Sequence, residues 1–190
     1  MKRETAQVPF GYEPPVRTVK GVLVFYDSFD SGDIEELEQE LAAALETARQ
    51  RSFTKLVLYP LHEETLRRMT KTPAAPYHKR EKTLIAWKQG FGSSLVTLES
   101  WEGRRKKYTP FEAAVRHLEE IYGGPLFLYV TPEMANRLAG YDAFKEAIKR
   151  IRLILSAAPE APHPNLEQFR SRWDVAGEAL ADPEERYNRH

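Results

Sequence analysis

The sequence predicts an α/β fold in which a five-stranded parallel sheet carries helices on both faces. Short, continuous apolar runs recur along the chain, as is typical of strands buried on both faces, and segments with helical spacing separate them. Strands that alternate with helices in this way form a parallel sheet through right-handed crossovers. The predicted strands are residues 21–25, 55–59, 94–98, 126–130 and 151–155.

The first two connections have clear helical patterns. Four apolar residues at helical spacing predict one helix over residues 33–50, with Asp30 or Ser31 as its cap. Two shorter helices, over residues 62–69 and 79–89, follow the second strand, and Gly90 is the expected C-terminal cap of the later one.

The later connections are marked by capping residues. Residues 109–112 read Thr-Pro-Phe-Glu, which predicts a capping box and a helix that begins at Pro110 and ends near Gly123. Residues 131–132, Thr-Pro, begin a short helix after the fourth strand, and residues 143–150 supply another. In a sheet of this kind, ligands bind beyond the carboxyl ends of the strands, where the strand order reverses.

The chain divides into one main domain and two flanking segments. Residues 1–17 predict an irregular arm, residues 18–156 the α/β domain, and residues 157–190 a proline-rich connector with a C-terminal helix. That helix carries an apolar stripe, so it is expected to pack on the domain or on a partner, for instance in a homodimer. The stripe comprises Leu166, Phe169, Trp173, Ala176 and Leu180.

Composition narrows the functional class. The 28 basic and 28 acidic residues cancel, so a nucleic acid is not an expected partner. The chain has no cysteine, which excludes thiolate catalysis and cysteine-ligated metals. No apolar run reaches the roughly 20 residues that a membrane span needs, and the N-terminal segment lacks the apolar core of a secretory signal. A cytoplasmic location without a membrane partner is therefore expected.

A motif after the first strand resembles the opening motif of the nucleotidylyltransferase superfamily, in particular the nicotinate-mononucleotide adenylyltransferases. Residues 25–33 read Phe-Tyr-Asp-Ser-Phe-Asp-Ser-Gly-Asp, where that family has Ser/Thr-Phe-Asp-Pro and then His-x-Gly-His. Three further segments follow in the family's order: residues 76–79 resemble its Pro-Pro-His-Lys loop, residues 108–109 its Ser-Tyr-Thr segment, and residues 128–134 its fourth strand and Gly-x-Asp turn. The resemblance covers about residues 20–155.

The resemblance implies a Rossmann-like sheet with strand order 3-2-1-4-5 and a site for a nucleotide or another phosphate-bearing molecule. His78 and Lys79 are the catalytic candidates, Asp27 and Asp30 are the candidate ligands of a metal, and Mg²⁺ is the implied cofactor if a nucleoside triphosphate binds. The implied ligand-binding residues are Tyr26, Ser28, Asp30, Gly32, His78, Lys79, Thr131 and Glu133.

Departures from the family pattern argue against catalysis. The first histidine of the motif falls in a deletion, and Asp33 stands where the second would be. A carboxylate at a helix start has the wrong charge for a triphosphate but complements the helix dipole. Thr131 and Pro132 replace the family's small glycine, and no Ile-Ser-Ser-Thr-x-x-Arg segment follows the fifth strand. A family member that has lost catalysis is thus the leading hypothesis.

Two alternatives stay open at this stage. One is a divergent, active nucleotidylyltransferase that transfers the adenylyl group of ATP to a mononucleotide, with release of pyrophosphate, and uses His78, Lys79 and the carboxylates of Asp27 and Asp30. The other is an assembly protein that uses the fold as a scaffold. The basic run at residues 104–107, next to Trp101, is interpreted as a solvated loop, and His117 as a surface residue of a helix.

Overall fold

The computed structural model describes residues 21–91 and 93–178 and has one parallel sheet. Within these residues the strands are β1 (Val22–Asp27), β2 (Lys55–Pro60), β3 (Val96–Leu98), β4 (Leu126–Val130), β5 (Ile151–Leu155) and β6 (Trp173–Val175). They lie in the order β3-β2-β1-β4-β5-β6, and every neighbouring pair is parallel. The predicted class and the order of the first five strands are confirmed. The count of five is wrong because β6 adds a sixth.

Helices cover both faces of the sheet. They are α1 (Ile34–Gln50), α2 (Glu63–Met69), α3 (Tyr77–Phe91), α4 (Trp101–Arg105), α5 (Phe111–Tyr122), α6 (Pro132–Ala139), α7 (Phe144–Ala147) and α8 (Pro164–Gln168). Within the described ranges, none of them combines the length and the apolar character that crossing a bilayer requires.

Alternate residues of β1 point to opposite faces and enter two separate cores. Leu23 and Phe25 pack with the buried stripes of α1 and α3, which include Leu41 and Trp87. Val24 and Tyr26 pack on the other face, in a core that α5, α6 and α7 complete. Helices thus cover the side chains of β1 on both faces of the sheet, as the continuous apolar run predicts. The helices that follow β1 and β4 therefore lie on opposite faces.

The C-terminal segment folds differently from the prediction of one helix. Residues 164–168 form the short α8, a 3-10 turn follows, and Trp173–Val175 joins β5 as a parallel strand. The Trp173 indole nitrogen donates to the carbonyl of Leu166 at 2.7 Å, and Arg51 holds Asp174 at 2.7 Å. Leu166 and Trp173 are buried in the chain's own core, so this part of the predicted stripe packs on the domain itself, whereas Leu180 lies outside the described residues.

Several predicted helix boundaries also differ, and the helix predicted over residues 143–150 covers only Phe144–Ala147. The helix α3 continues through Gly90 to Phe91, so Gly90 is not its cap. The helix α5 begins at Phe111 without a side-chain cap, because its N-cap residue is Pro110, and the Thr109 hydroxyl accepts a hydrogen bond from Arg105 at 3.0 Å. The predicted arm at residues 1–17 and the end of the C-terminal segment, residues 179–190, lie outside the described residues.

Candidate functional site

A crevice of about 800 Å³ opens at the carboxyl end of the sheet, beside β1 and β4. Its walls come from the β1–α1 turn, the start of α1, the start of α6 and the segment after β5. Because α1 and α6 lie on opposite faces, this is the point where the strand order reverses, the usual ligand position in such sheets. Its volume is in the range of small-molecule sites. We call this cavity the crevice.

Carboxylates dominate the lining of the crevice. Six acidic side chains line it, and its described lining includes no lysine, arginine or histidine. The acidic residues are Asp27, Asp30, Glu36, Glu40, Glu133 and Glu160. Burial, followed by repulsion from Asp27 and Glu36, raises the pKa of Glu40 above its ordinary value. The mutual repulsion of these groups favours a cationic occupant over an anionic one.

A smaller cavity of about 260 Å³ adjoins the crevice and shares part of its lining. The shared residues are Asp27, Ser28, Asp30, Thr131 and Glu133. Arg137 also lines the smaller cavity, where its guanidinium donates to the carbonyl of Met69 at 3.3 Å. Arg137 is therefore the one basic residue among the described residues that line these two cavities.

The structure brings together half of the ligand-binding residues predicted from the sequence. Ser28, Asp30, Thr131 and Glu133 all line the crevice. The other four predicted residues, namely Tyr26, Gly32, His78 and Lys79, are not among its lining residues. The expectation that His78 and Lys79 border the crevice as its cations is therefore wrong.

These four residues lie in three different environments. The side chains of His78 and Lys79 are exposed on the first turn of α3. Tyr26 is fully buried and stacks on Tyr59 with ring centroids 5.4 Å apart, because its place in β1 points it into the core. Gly32 is exposed, and a Cβ atom there would meet no other atom within 4 Å. Its position does not require a glycine.

The start of α1 is capped by the protein itself. Asp33 is the N-cap, and its Oδ1 accepts from the backbone nitrogens of Glu35 at 3.0 Å and Glu36 at 3.4 Å. The amides that would bind a phosphate at a helix N-terminus are thus already bonded to a carboxylate. The prediction that Asp30 or Ser31 caps this helix is wrong, since the Ser31 hydroxyl bonds to the backbone of Asp33.

Arg80 ties the loops around the crevice together. Its side chain is 3% exposed, and it donates to the carbonyls of Ser28 at 2.8 Å, Leu61 at 2.6 Å and Ala75 at 2.8 Å. The carboxylate of Glu63 lies 3.5 Å away. Among His78, Lys79 and Arg80 in the first turns of α3, Arg80 is therefore the residue with a structural role, and its guanidinium binds backbone carbonyls rather than a ligand.

The predicted metal ligands, Asp27 and Asp30, already accept hydrogen bonds from the backbone. Asp27 Oδ2 accepts from the nitrogen of Phe29 at 3.1 Å, and Asp30 Oδ2 accepts from the nitrogen of Ala75 at 3.2 Å. Across residues 21–91 and 93–178, no group of three or more histidine or acidic residues is arranged to hold a metal ion. Asp27 and Asp30 are therefore not part of a group that could hold Mg²⁺ with side chains alone.

The carboxyl group of Asp27 is the most perturbed acid of the crevice. Burial raises its pKa from 3.8 to about 6, backbone hydrogen bonds from Phe29 and Ser28 oppose that rise, and Glu133 adds to it. A carboxyl group whose pKa is raised on folding stabilises the fold while it is neutral. That stability is lost as the pH rises from about 4 through about 6.

Asp27→Asn is therefore expected to stabilise the protein above pH 6 and to have no effect below pH 4. The pKa difference corresponds to about 3 kcal/mol, and partial exposure reduces the expected gain to about 1–2 kcal/mol at pH 7. Urea unfolding at several pH values measures it. Asp142→Asn, the same change at an exposed carboxylate outside the crevice, is the control. An equal gain at pH 4 and pH 7 would contradict the assignment.

Several polar residues that line the crevice were not among the site residues predicted from the sequence. Glu36 and Glu40 are four residues apart on α1, and this spacing was a usable signal, because it places them on one helix face. Ser156 and Glu160 follow β5 and gave no signal. His117, predicted to lie at the surface of a helix, is only partly exposed, because it stacks on Trp101 with ring centroids 3.8 Å apart.

The basic run at residues 104–107 is not wholly a loop, because residues 104–105 end the helix α4. Arg105 lies over the ring of Trp101, 4.9 Å from its centroid, and its Nε donates to the Thr109 hydroxyl. Arg104 lies 3.3 Å from the carboxylate of Glu99. Two of the four basic side chains are therefore engaged within the chain.

No family model matches this chain, and no curated protein matches it in sequence. The crevice, its charge and the capped helix start are thus the observations on which a functional proposal depends.

Proposed function

We propose that this protein is a nucleotidylyltransferase-like α/β protein that has lost adenylyl transfer and binds a small ligand in the crevice. The observation that carries the loss of catalysis is the cap of α1, where Asp33 occupies the amides of the first turn. A transferase of this kind works by positioning phosphates and neutralising their charge. The Asp33 carboxylate at the start of α1 would instead repel the phosphates.

The lining of the crevice supports a ligand of positive charge. A triphosphate would face six carboxylates there without a basic partner among the described lining residues. An organic amine would instead donate charged hydrogen bonds to carboxylates that already repel one another. The proposed ligand class is therefore a small molecule with one or more ammonium groups. The alternative of a divergent, active transferase finds no support in the positions of His78 and Lys79.

Two assays test the loss of catalysis and the ligand class separately. With ATP, Mg²⁺ and nicotinate or nicotinamide mononucleotide, we expect no formation of the dinucleotide above background. Turnover that His78→Ala abolishes would overturn the proposed loss and restore the active-transferase alternative. The second assay is a thermal shift with spermidine, putrescine, ATP and ATP with Mg²⁺, since a ligand of the native state raises Tm.

Spermidine is expected to raise Tm, and ATP is not. Glu133→Gln should weaken spermidine binding about tenfold to a hundredfold, because a charged hydrogen bond contributes about 1.5–3 kcal/mol. Asp142→Asn should leave binding unchanged, and added salt should weaken it. Stabilisation by ATP alone, kept in Glu133→Gln, would show that the ligand is an anion and would contradict the proposed charge preference.

A further inference from the structure

An apolar groove of about 500 Å³ runs between α1 and α3, on the face of the sheet away from α5 and α6. Leu37, Leu41, Ala86 and Trp87 line it. At its edges Ile34 is 54% exposed and Phe91 is 55% exposed, although both side chains are large and apolar. Exposed apolar side chains gathered along one groove mark an interaction surface rather than ordinary surface scatter. We call this surface the α1/α3 groove.

The two walls of the α1/α3 groove carry opposite charge. On α1, the exposed Glu38 lines the groove. On α3, Lys82 lines the groove opposite, and Lys79 is exposed one turn earlier. Among the ion pairs within the described residues, none joins α1 to α3. An acidic wall, an apolar floor and a basic wall are thus all open to an outside partner.

We propose that the occupant of the α1/α3 groove is a second copy of this chain. A surface with an acidic and a basic wall on either side of an apolar floor is complementary to itself. A two-fold axis running along the groove would set α1 of one protomer against α3 of its partner. Each acidic wall then meets a basic wall of the partner. The exposed side chains of Ile34 and Phe91 become buried between the two protomers. Such an isologous contact closes as a dimer.

The dimensions of the two helices suit a modest interface. With 17 and 15 residues, α1 and α3 are about 25 Å and about 22 Å long. Stable interfaces bury roughly 800 Å² per partner, and two adjacent helices of this length offer a contact area at or below that value. The dimer is therefore expected to dissociate on dilution.

Charge reversal across the proposed axis gives a specific test on the full chain. In Glu38→Lys, both contacts between the walls of a homodimer become Lys against Lys. In Lys82→Glu, both become Glu against Glu. Each variant alone should dimerise about tenfold to a hundredfold more weakly than the wild type, as two reversed exposed pairs imply. Sedimentation equilibrium over a range of protein concentrations measures this.

Mixing the two variants is the decisive measurement. A heterodimer of Glu38→Lys with Lys82→Glu has an opposite-charge pair at both contacts, so the mixture should regain a dissociation constant within about threefold of wild type. Effects within one protomer cannot produce that rescue. Ile34→Ser combined with Phe91→Ser should weaken wild-type self-association without changing the secondary structure seen by circular dichroism. A wild-type monomer at every concentration, or a mixture no tighter than either variant alone, would overturn the proposal.

Discussion

Replacing Glu102 by alanine is expected to lower the free energy of unfolding by about 3–5 kcal/mol, enough to threaten the fold. Glu102 is fully buried in α4. Its carboxylate accepts from the Tyr59 hydroxyl at 2.7 Å, the Thr65 hydroxyl at 2.8 Å and the backbone nitrogen of His62 at 2.9 Å. Alanine would leave these three buried donors without an acceptor and would open a cavity beside them.

The matched variant Glu102→Gln separates shape from charge. Its amide oxygen can accept from His62 and Thr65, and its amide nitrogen can donate to a reoriented Tyr59 hydroxyl, so we expect a loss within about 1 kcal/mol near pH 5. Burial raises the pKa of Glu102 above 4.5, so wild-type stability from this group falls as the pH rises through the raised pKa. Glu102→Gln should lack that fall. Urea unfolding of both variants against pH measures it, and equal losses in the two variants would contradict the role of the hydrogen bonds.

The regular part of the fold followed from the sequence because its strands are buried on both faces. A continuous apolar run such as that of β1 or β4 has few other structures available, and β1 lies where the pattern placed it, within one or two residues at each end. The order of the first five strands came instead from the family resemblance. Apolar runs show that the strands are buried but do not show which strands are neighbours.

The sixth strand was missed because two periods coincide in the C-terminal segment. Leu166, Phe169 and Trp173 have helical spacing, yet Trp173 and Val175 also alternate as a strand requires. Contacts distant in sequence decide between the two, above all the Arg51 pair with Asp174 and the Arg51 bond to the Val175 carbonyl. The pattern of apolar residues within the C-terminal segment does not reveal such contacts, because they involve a residue far away in the sequence.

The candidate site was predicted in its position but not in its charge. The carboxyl ends of β1 and β4 were the expected place, and Ser28, Asp30 and Thr131 do line the crevice there. The sequence-based expectation supplied cations from the start of α3. In the structure the exposed side chains of that turn do not line the crevice, and two acidic residues of α1, four residues apart, line it instead. Which face of a helix meets a cavity depends on packing, which the motif alone does not contain.

Arg80→Met is expected to lower the free energy of unfolding by about 3–5 kcal/mol, whereas its neighbours should tolerate substitution. Methionine fills a similar length but donates no hydrogen bond, so the carbonyls of Ser28, Leu61 and Ala75 would lose their donor, and Glu63 its cation. Arg80→Lys should recover only part of the loss, because one ammonium group cannot reach three carbonyls that surround a planar guanidinium.

The matched controls for Arg80→Met are His78→Ala and Lys79→Ala, on the same turn of α3. Both side chains are exposed, so each change should stay within about 0.5 kcal/mol of wild type in urea unfolding. Because Arg80 bonds to the β1–α1 turn through Ser28, its loss should also loosen the crevice wall, and amide hydrogen exchange at residues 28–31 should become faster in Arg80→Lys than in the two controls. Equal stability of Arg80→Met and Lys79→Ala would show that the guanidinium does not hold these loops together, and the crevice would then need another source of rigidity.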